Sequence, residues 1–325
     1  MRFGPVPVAD ALGAVLAHSV ATPSGRLRKG AAIDPAAQAA LSATGRTEVV
    51  AARLEANEVG ENEAAARLAH TLAGDGLDVR DAFTGRANLH ASGPGVLEVD
   101  RRAIDVANRV DPMVTVATLP EWQRVAGGTM VATVKVIAYG VVDAALDRAC
   151  EAGRGALRLR RPIVDRAVLV VTVLDGAASG VDAVLARLDR FGVACDVVHA
   201  PHETQALAAA LETAAASLRL VLTASATSDV MDVGPAALRL AGGRLERFGM
   251  PIDPGNLLFL GGMPGATVIG LPGCARSPAL NGADWVLERV ICGVSVTSDD
   301  LAGMGVGGLL GEIPTRPQPR ERRRR

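Results

Sequence analysis

The sequence predicts an α/β protein whose C-terminal part is a doubly wound, mostly parallel sheet, preceded by a smaller α/β module and a β-rich module. Three observations carry that prediction. After residue 163, apolar runs of strand length alternate with stretches of helical spacing, the pattern of consecutive βαβ units. RAVLVVTVL (166–174) is apolar throughout, as a strand covered on both faces must be. Apolar residues make up 49% of the 325 while aromatics make up 2%, so the cores must be built from Ala, Val and Leu.

Residues 1–60 read as the small N-terminal module. VADALGAVLAHSV (8–20) is a short helix or turn leading into a strand, and GRLRKGAAI (25–33) resembles a hairpin. DPAAQAALSATG (34–45) is a helix, with Asp34 as its N-cap, Pro35 in its first turn and Gly45 at its end. TEVVAARL (47–54) is a strand.

Residues 61–160 form the β-rich middle module. ENEAAARLAHTLAG (61–74) places Ala64, Ala65, Leu68 and Leu72 on one helical face. GVLEVD, MVTVATL and TMVATVKVIAYGV are strands. Arg86 and Asn88 in TGRANLHASGPG, and Asn108 and Asp111 in NRVDP, fall on turns, with a second ligand wall as their functional alternative. The charged, Gly-bearing stretch EAGRGALRLRRP (151–162) is the expected boundary.

From 163 to 297 the expected order is RAVLVVTVL as strand, VDAVLARLDRFG as helix and VACDVVHA as strand. HETQALAAALETAAAS (202–217) is a helix, LRLVLTAS (218–225) a strand and GPAALRLAGG a short helix. NLLFL and ATVIGLP are strands, and SPALNGADWVLERVIC is the closing helix. Residues 298–325 are an extension whose tail, RPQPRERRRR, is locally basic. Solvation is its bland reading and docking its functional one.

Composition narrows the function. A net charge of −1 creates no global field for nucleic acid or an anionic membrane. The four cysteines, Cys150, Cys195, Cys274 and Cys292, have no zinc or paired spacing. The N-terminus lacks a signal-peptide layout, and no run approaches the ~20 apolar residues of a membrane span. The expectation is a reduced cytoplasmic protein.

In doubly wound sheets ligands meet the loops at the carboxyl ends of the strands. TASATSDVMDVGPAAL (223–238) offers small residues, among them Ser225, Thr227 and Ser228, followed by Asp229 and Asp232. The two carboxylates suit Mg²⁺ beside a phosphate, or else one caps the helix and the other is solvated. FGMPIDPGNLLFLG (248–261) is a rigid turn carrying Asp253. In IGLPGCARSP (269–278), Pro272 and Gly273 turn the chain, and Arg276 has a fork suited to phosphate. Ser277 and Pro278 have the character of an N-cap and first helical residue, which would offer an anion site. Cys274 is either a thiolate favoured by that helix end or a small filler.

These loops together resemble the molybdopterin-binding domain of the MoeA/MogA type, proteins of molybdenum-cofactor biosynthesis. TASATSDVMDVGPAAL stands where that family has its Gly-Gly loop and Asp-bearing helix entry, and GLPGCARSP where it has a Leu-Pro-Gly-Asn-Pro turn. DALGAVLAHSV, GRLRKGAAI and VGENEAAARLA are similar to the leading region of bacterial MoeA-like proteins, so the resemblance covers most of the chain.

The resemblance implies molybdopterin as ligand or substrate, with Mg²⁺ held by Asp229 and Asp232. It gives catalytic roles to Asp232, Asp229 and Glu203, and binding roles to Ser225, Thr227, Ser228, Asp253, Pro272, Gly273, Cys274, Arg276 and Ser277. Adenylylated pterin, molybdate, and a molybdoenzyme or cytidylyltransferase partner are the implied partners of a homo-oligomer. Ala224 and Ser225 replace the Gly-Gly pair, and Cys274 and Ala275 replace Asn-Pro. The first replacement crowds a phosphate set against backbone. A non-catalytic carrier and a competence-damage-type nucleotide pyrophosphatase are the alternatives to nucleotidyl transfer or molybdate insertion.

Overall fold

The computed structural model describes residues 1–174 and 180–310. The basic tail at 316–325 lies outside them. The chain divides into two compact units, Met1–Gly93 with Leu97–Leu159, and Pro94–Val96 with Arg160–Arg325. Among the described residues no helix is long and apolar enough to cross a membrane.

In the first unit Arg2–Pro7 and Val15–Leu16 both pair antiparallel with Glu48–Arg53. Helix Pro35–Ser42 starts where Asp34 accepts the Ala37 N–H at 2.7 Å, with Pro35 in the first turn. Val8, Leu16, Ile33, Leu41 and Val49 form its core. The hairpin lies earlier than 25–33: its arms are Val20–Thr22 and Gly25–Leu27, joined through Pro23 and Ser24.

A second sheet of this unit runs in the order Val114–Thr118, Met130–Val136, Arg86–Ala91 and Leu77–Val79. Helix Glu61–Leu72 backs it, placing Leu68 and Leu72 in one core with Leu89 and Val134. Arg86 and Asn88 lie within a strand, not on a connection. Ala87, Leu89 and Ala91 alternate inward along it, a period of two that small alanines conceal. Asn108 belongs to the helix Arg101–Val110 rather than a turn. Its side chain accepts the Val116 N–H at 2.7 Å and donates to the Val116 carbonyl at 3.0 Å.

The division between the two units, at Leu159 and Arg160, falls inside the stretch 151–162, which is itself structured. That stretch holds the end of helix Asp143–Gly153 and the strand Leu157–Arg160, where Leu157 and Leu159 turn inward between arginines.

The second unit contains the six-stranded sheet. Its elements are β1 (Arg166–Val173), α1 (Val181–Asp189), β2 (Ala194–Pro201), α2 (Thr204–Thr213), β3 (Leu218–Leu222) and α3 (Val233–Leu240). They continue as β4 (Arg244–Phe248), β5 (Phe259–Met263), β6 (Ala266–Leu271), α4 (Gly282–Ile291) and α5 (Ser298–Gly303). The strand order is β2-β1-β3-β6-β5-β4. β2, β1, β3 and β6 are parallel, while β5 and β4 are antiparallel. The α/β class and the mostly parallel sheet are therefore as expected.

Val168, Val170 and Val221 share a core with Leu207, Leu211 and Leu238 of α2 and α3. Leu169, Val171 and Leu220, which alternate with them, are fully buried too, so β1 and β3 are covered on both faces.

Three local readings change in this unit. The strand expected at NLLFL begins at Phe259, because Pro254 and Gly255 hold the preceding residues in a turn. β4 and α5 were not expected. The closing helix starts at Gly282 instead of Ser277, because Asn281 and Asp284 form a reciprocal capping box that fixes its first turn.

Candidate functional site

The chain leaves β1, adds β2 outside it, and returns across β1 to place β3 on its other side. That reversal opens a crevice at the carboxyl ends of β1 and β3, where ligands of doubly wound sheets are found. Three connections that reach this edge lie wholly within the described residues: the turn after β2, the loop after β3 and the loop after β6.

The loop after β3 is shaped by its own hydroxyls and carboxylates. Thr223, buried at the strand end, donates to the Ser225 carbonyl at 2.7 Å and lies 3.3 Å from the hydroxyl of buried Thr227. Asp232 is the N-cap of α3. Its Oδ1 accepts the Val233 N–H at 2.7 Å and its Oδ2 accepts the Ser228 N–H at 3.0 Å. Asp229 accepts the Met231 N–H at 2.7 Å. Both carboxylates thus satisfy backbone donors that the turn would otherwise leave unpaired.

Those contacts bear on Mg²⁺. Each oxygen of Asp232 and one of Asp229 is already turned toward an amide. Among the described residues no group of three or more His, Cys, Asp or Glu side chains is placed to hold a metal. As arranged, both carboxylates cap backbone groups of their own turn.

The loop after β6 has a different anchor. Pro272 is buried, Gly273–Arg276 form a short 3₁₀ turn, and Ser277 is exposed. Arg187 of α1, 4% exposed, donates to the carbonyls of Ala275, Ser277 and Ala279 at 2.8–2.9 Å. Its Nε also meets Asp284 Oδ1 of α4 at 2.6 Å. One guanidinium therefore sets the path of the loop and ties it to the capping box of α4. Arg187 escaped the sequence reading. Its signal was a charged residue on the stripe that buries Val184 and Leu188.

Arg276 crosses to the neighbouring loop, where Nη2 donates to the Thr223 carbonyl at 2.8 Å. Burial lowers its pKa from the ordinary arginine value. Its aliphatic stem lies where a side chain on Gly180 would have to go, and Gly180 has a left-handed φ of 78°. Arg276 thus braces the loops after β3 and β6. Ser277 and Pro278 do not open a helix, so the anion site expected at their amide groups is not formed there. Burial pushes the Cys274 thiol up, with the Asp253 and Asp284 charges adding to the rise.

Asp253 sits in the turn ahead of β5. Its N–H donates to Gly308 O at 2.8 Å and its carbonyl accepts from Leu310 N–H at 2.9 Å. Its neighbour Pro254 accepts the Gly282 N–H at 2.9 Å, so this turn closes against the start of α4. Glu203 is exposed at the N-cap position of α2 and makes no capping bond with its side chain.

The turn after β2 adds a residue with no assigned role in the sequence reading. His202 Nδ1 lies 2.8 Å from Thr172 Oγ1, and Nε2 lies 3.1 Å from Ser225 Oγ. Of the expected residues, all but Glu203 and Asp253 fall into two groups. Ser225, Thr227, Ser228, Asp229 and Asp232 share the loop after β3, and Pro272, Gly273, Cys274, Arg276 and Ser277 share the loop after β6, with Arg276 spanning both. A cavity of about 680 Å³ lies elsewhere, beside Ser217, Ala266 and Thr267, at the start of β3 and β6. Chain direction places the ligand edge at the opposite strand ends.

Comparison with known proteins adds little to these residues. The family described as Domain of unknown function (DUF8806) matches residues 5–53. No curated protein matches the chain. Among solved structures, it is similar to the molybdopterin biosynthesis MoeA protein from Pyrococcus horikosii, at 12% identity and a TM-score of 0.32. That alignment covers 90% of this chain and 75% of the other.

Proposed function

We propose that this chain is a molybdopterin-binding protein of molybdenum-cofactor biosynthesis, taking its ligand at the carboxyl edge of β1, β3 and β6. The observation that carries the reading is the meeting of two loops there, each standing where the MoeA/MogA type has a characteristic segment, with Arg276 bonded across them. Ser225, Thr227 and Ser228 line one side. Pro272, Gly273 and Ser277 line the other, and Arg276 supplies positive charge between them. Glu203, at the start of α2, stands beside this edge, and Cys274 belongs to the second loop. Adenylylated pterin is an alternative ligand of the same edge.

Among the readings of the reaction, we favour binding and delivery over chemistry on the pterin. Asp229 and Asp232 already serve backbone donors, which gives both carboxylates a role in a binding protein without calling on Mg²⁺ chemistry. The carrier's recipient would be a molybdoenzyme or an enzyme that modifies the pterin.

Anaerobic titration of molybdopterin into the wild type and Asp232→Asn, with and without Mg²⁺ and nucleotide, tests this. The expected result is binding by both proteins with no turnover. Mg²⁺-dependent turnover lost in Asp232→Asn would replace the carrier with an enzyme. Absence of binding to the wild type would remove the molybdopterin reading altogether.

A further inference from the structure

We infer that Thr172, His202 and Ser225 form a one-way hydrogen-bond relay, which makes the Ser225 hydroxyl a donor for an oxygen anion of the ligand rather than a nucleophile. The inference deepens the proposed binding edge and rests on that edge taking a ligand.

The direction follows from counting protons. Thr172 is 1% exposed at the carboxyl end of β1, and its Oγ1 accepts the Ala224 N–H at 2.8 Å. A hydroxyl has one proton to give, and a buried one needs an acceptor. Among the described residues, the other partner of Thr172 Oγ1 is His202 Nδ1 at 2.8 Å. The proton therefore points to Nδ1, which must be the bare nitrogen of a neutral imidazole. Nε2 then carries the ring proton and donates to Ser225 Oγ at 3.1 Å. With that bond accepted, the Ser225 proton is directed outward, and Ser225 is exposed.

The chain from Ala224 N–H through Thr172, His202 and Ser225 thus donates in one direction at every step. Aligned bonds of this kind polarise one another and strengthen the terminal donor. The backbone fixes where that donor stands. Thr223 Oγ1 holds the Ser225 carbonyl at 2.7 Å, and the His202 N–H donates to the Val173 carbonyl at 2.9 Å. The opposite arrangement, with Ser225 donating to Nε2, would prepare a nucleophile. It would leave the buried Thr172 proton without an acceptor, and Thr172 lacks the carboxylate that stabilises an imidazolium in such triads. The ligand group that fits is an unprotonated phosphoryl oxygen, with Arg276 bonded to the base of the same loop.

Two readouts on the full chain test this. The first is the histidine tautomer from long-range ¹H–¹⁵N correlation, with His202 assigned by the loss of its signals in His202→Gln. The second is the dissociation constant of inorganic phosphate, with phenyl phosphate as a second probe. The expected wild-type tautomer is Nε2–H, and Thr172→Val should remove that preference by deleting the proton that enforces it. Ser225→Ala should keep the tautomer and weaken phosphate by about tenfold. An Nδ1–H tautomer in the wild type would overturn the relay. Equal phosphate affinity in wild type and Ser225→Ala, or no affinity in either, would overturn the oxyanion role. Failure of molybdopterin to bind while phosphate behaves as described would sink only the pterin assignment.

Discussion

The loops after β3 and β6 reach the same sheet edge and both precede a helix, yet they are held by opposite means. The loop after β3 is organised locally: Asp229, Asp232 and Thr223 each bond to a backbone group within four residues. The loop after β6 is organised from a distance by Arg187, which lies 88 residues before Ala275 and 97 before Asp284. The first is a set of short-range contacts, from the exposed Asp229 to the buried Thr223. The second depends on one buried ion pair whose side chains are 4% and 3% exposed.

The sharpest way to break this contrast is Arg187→Met. It removes four carbonyl contacts, three of them to the loop, and leaves the Asp284 carboxylate buried without its guanidinium, a loss of the kind that costs about 3–5 kcal/mol. Chemical denaturation should show that loss. A variant close to wild-type stability would mean that Arg187 does not organise the loop.

A smaller effect is expected from Gly255→Ala, where the turn ahead of β5 abuts the start of α4. The added carbon would collide with the Gly282 backbone, and φ is +136°. A destabilisation of roughly 1–3 kcal/mol is expected from forced overpacking, read from the same denaturation curves. A neutral outcome would show that this turn yields more readily than its packing implies.

In the loop after β3, Asp232→Ala should cost about 1 kcal/mol, the usual loss for an N-cap. A penalty comparable to that of Arg187→Met would erase the distinction between the loops.

The smallest expected effect is a pH dependence at the exposed Thr297–Asp300 capping box. The side-chain and backbone bonds from Thr297 hold the Asp300 carboxyl below its ordinary range. A pKa depressed by folding contributes stability above the unfolded value of about 4, and that contribution fades as pH falls through the folded value. The difference in Tm between wild type and Asp300→Asn should therefore shrink on acidification through that window. A difference that grows there would reverse the assignment.

How far the sequence could be read follows the same division. Asp34 before Pro35, the continuous apolar run of β1 and the helical stripe of Glu61–Leu72 announce themselves because their causes lie within one or two turns of chain. The cap at Asp232 belongs with them, and so does the conclusion that capping is a large part of what that residue does. Ser277 and Pro278 offered equally good local signals and were overruled. Asn281 and Asp284 make a reciprocal capping box, and Arg187 holds the preceding carbonyls outside the helix. Arg86–Ala91 was missed for another reason, since Ala87 and Ala91 mark an inward face only weakly.

The sequence by itself determined the class of the second unit: alternating apolar strands and amphipathic helices can bury both faces of a sheet in few other ways. It also determined which loops would stand at the carboxyl edge, because strand direction and connection are properties of chain order. Tertiary structure alone decided what those loops hold. It placed Arg187 under one loop, carried Arg276 across to the other, and brought Thr172, His202 and Ser225 into line from three separate strand ends. Hydrogen bonds between residues 23 to 97 positions apart have no periodicity for a sequence to display. Their partners are chosen by where the packed sheet leaves buried donors and acceptors to be satisfied.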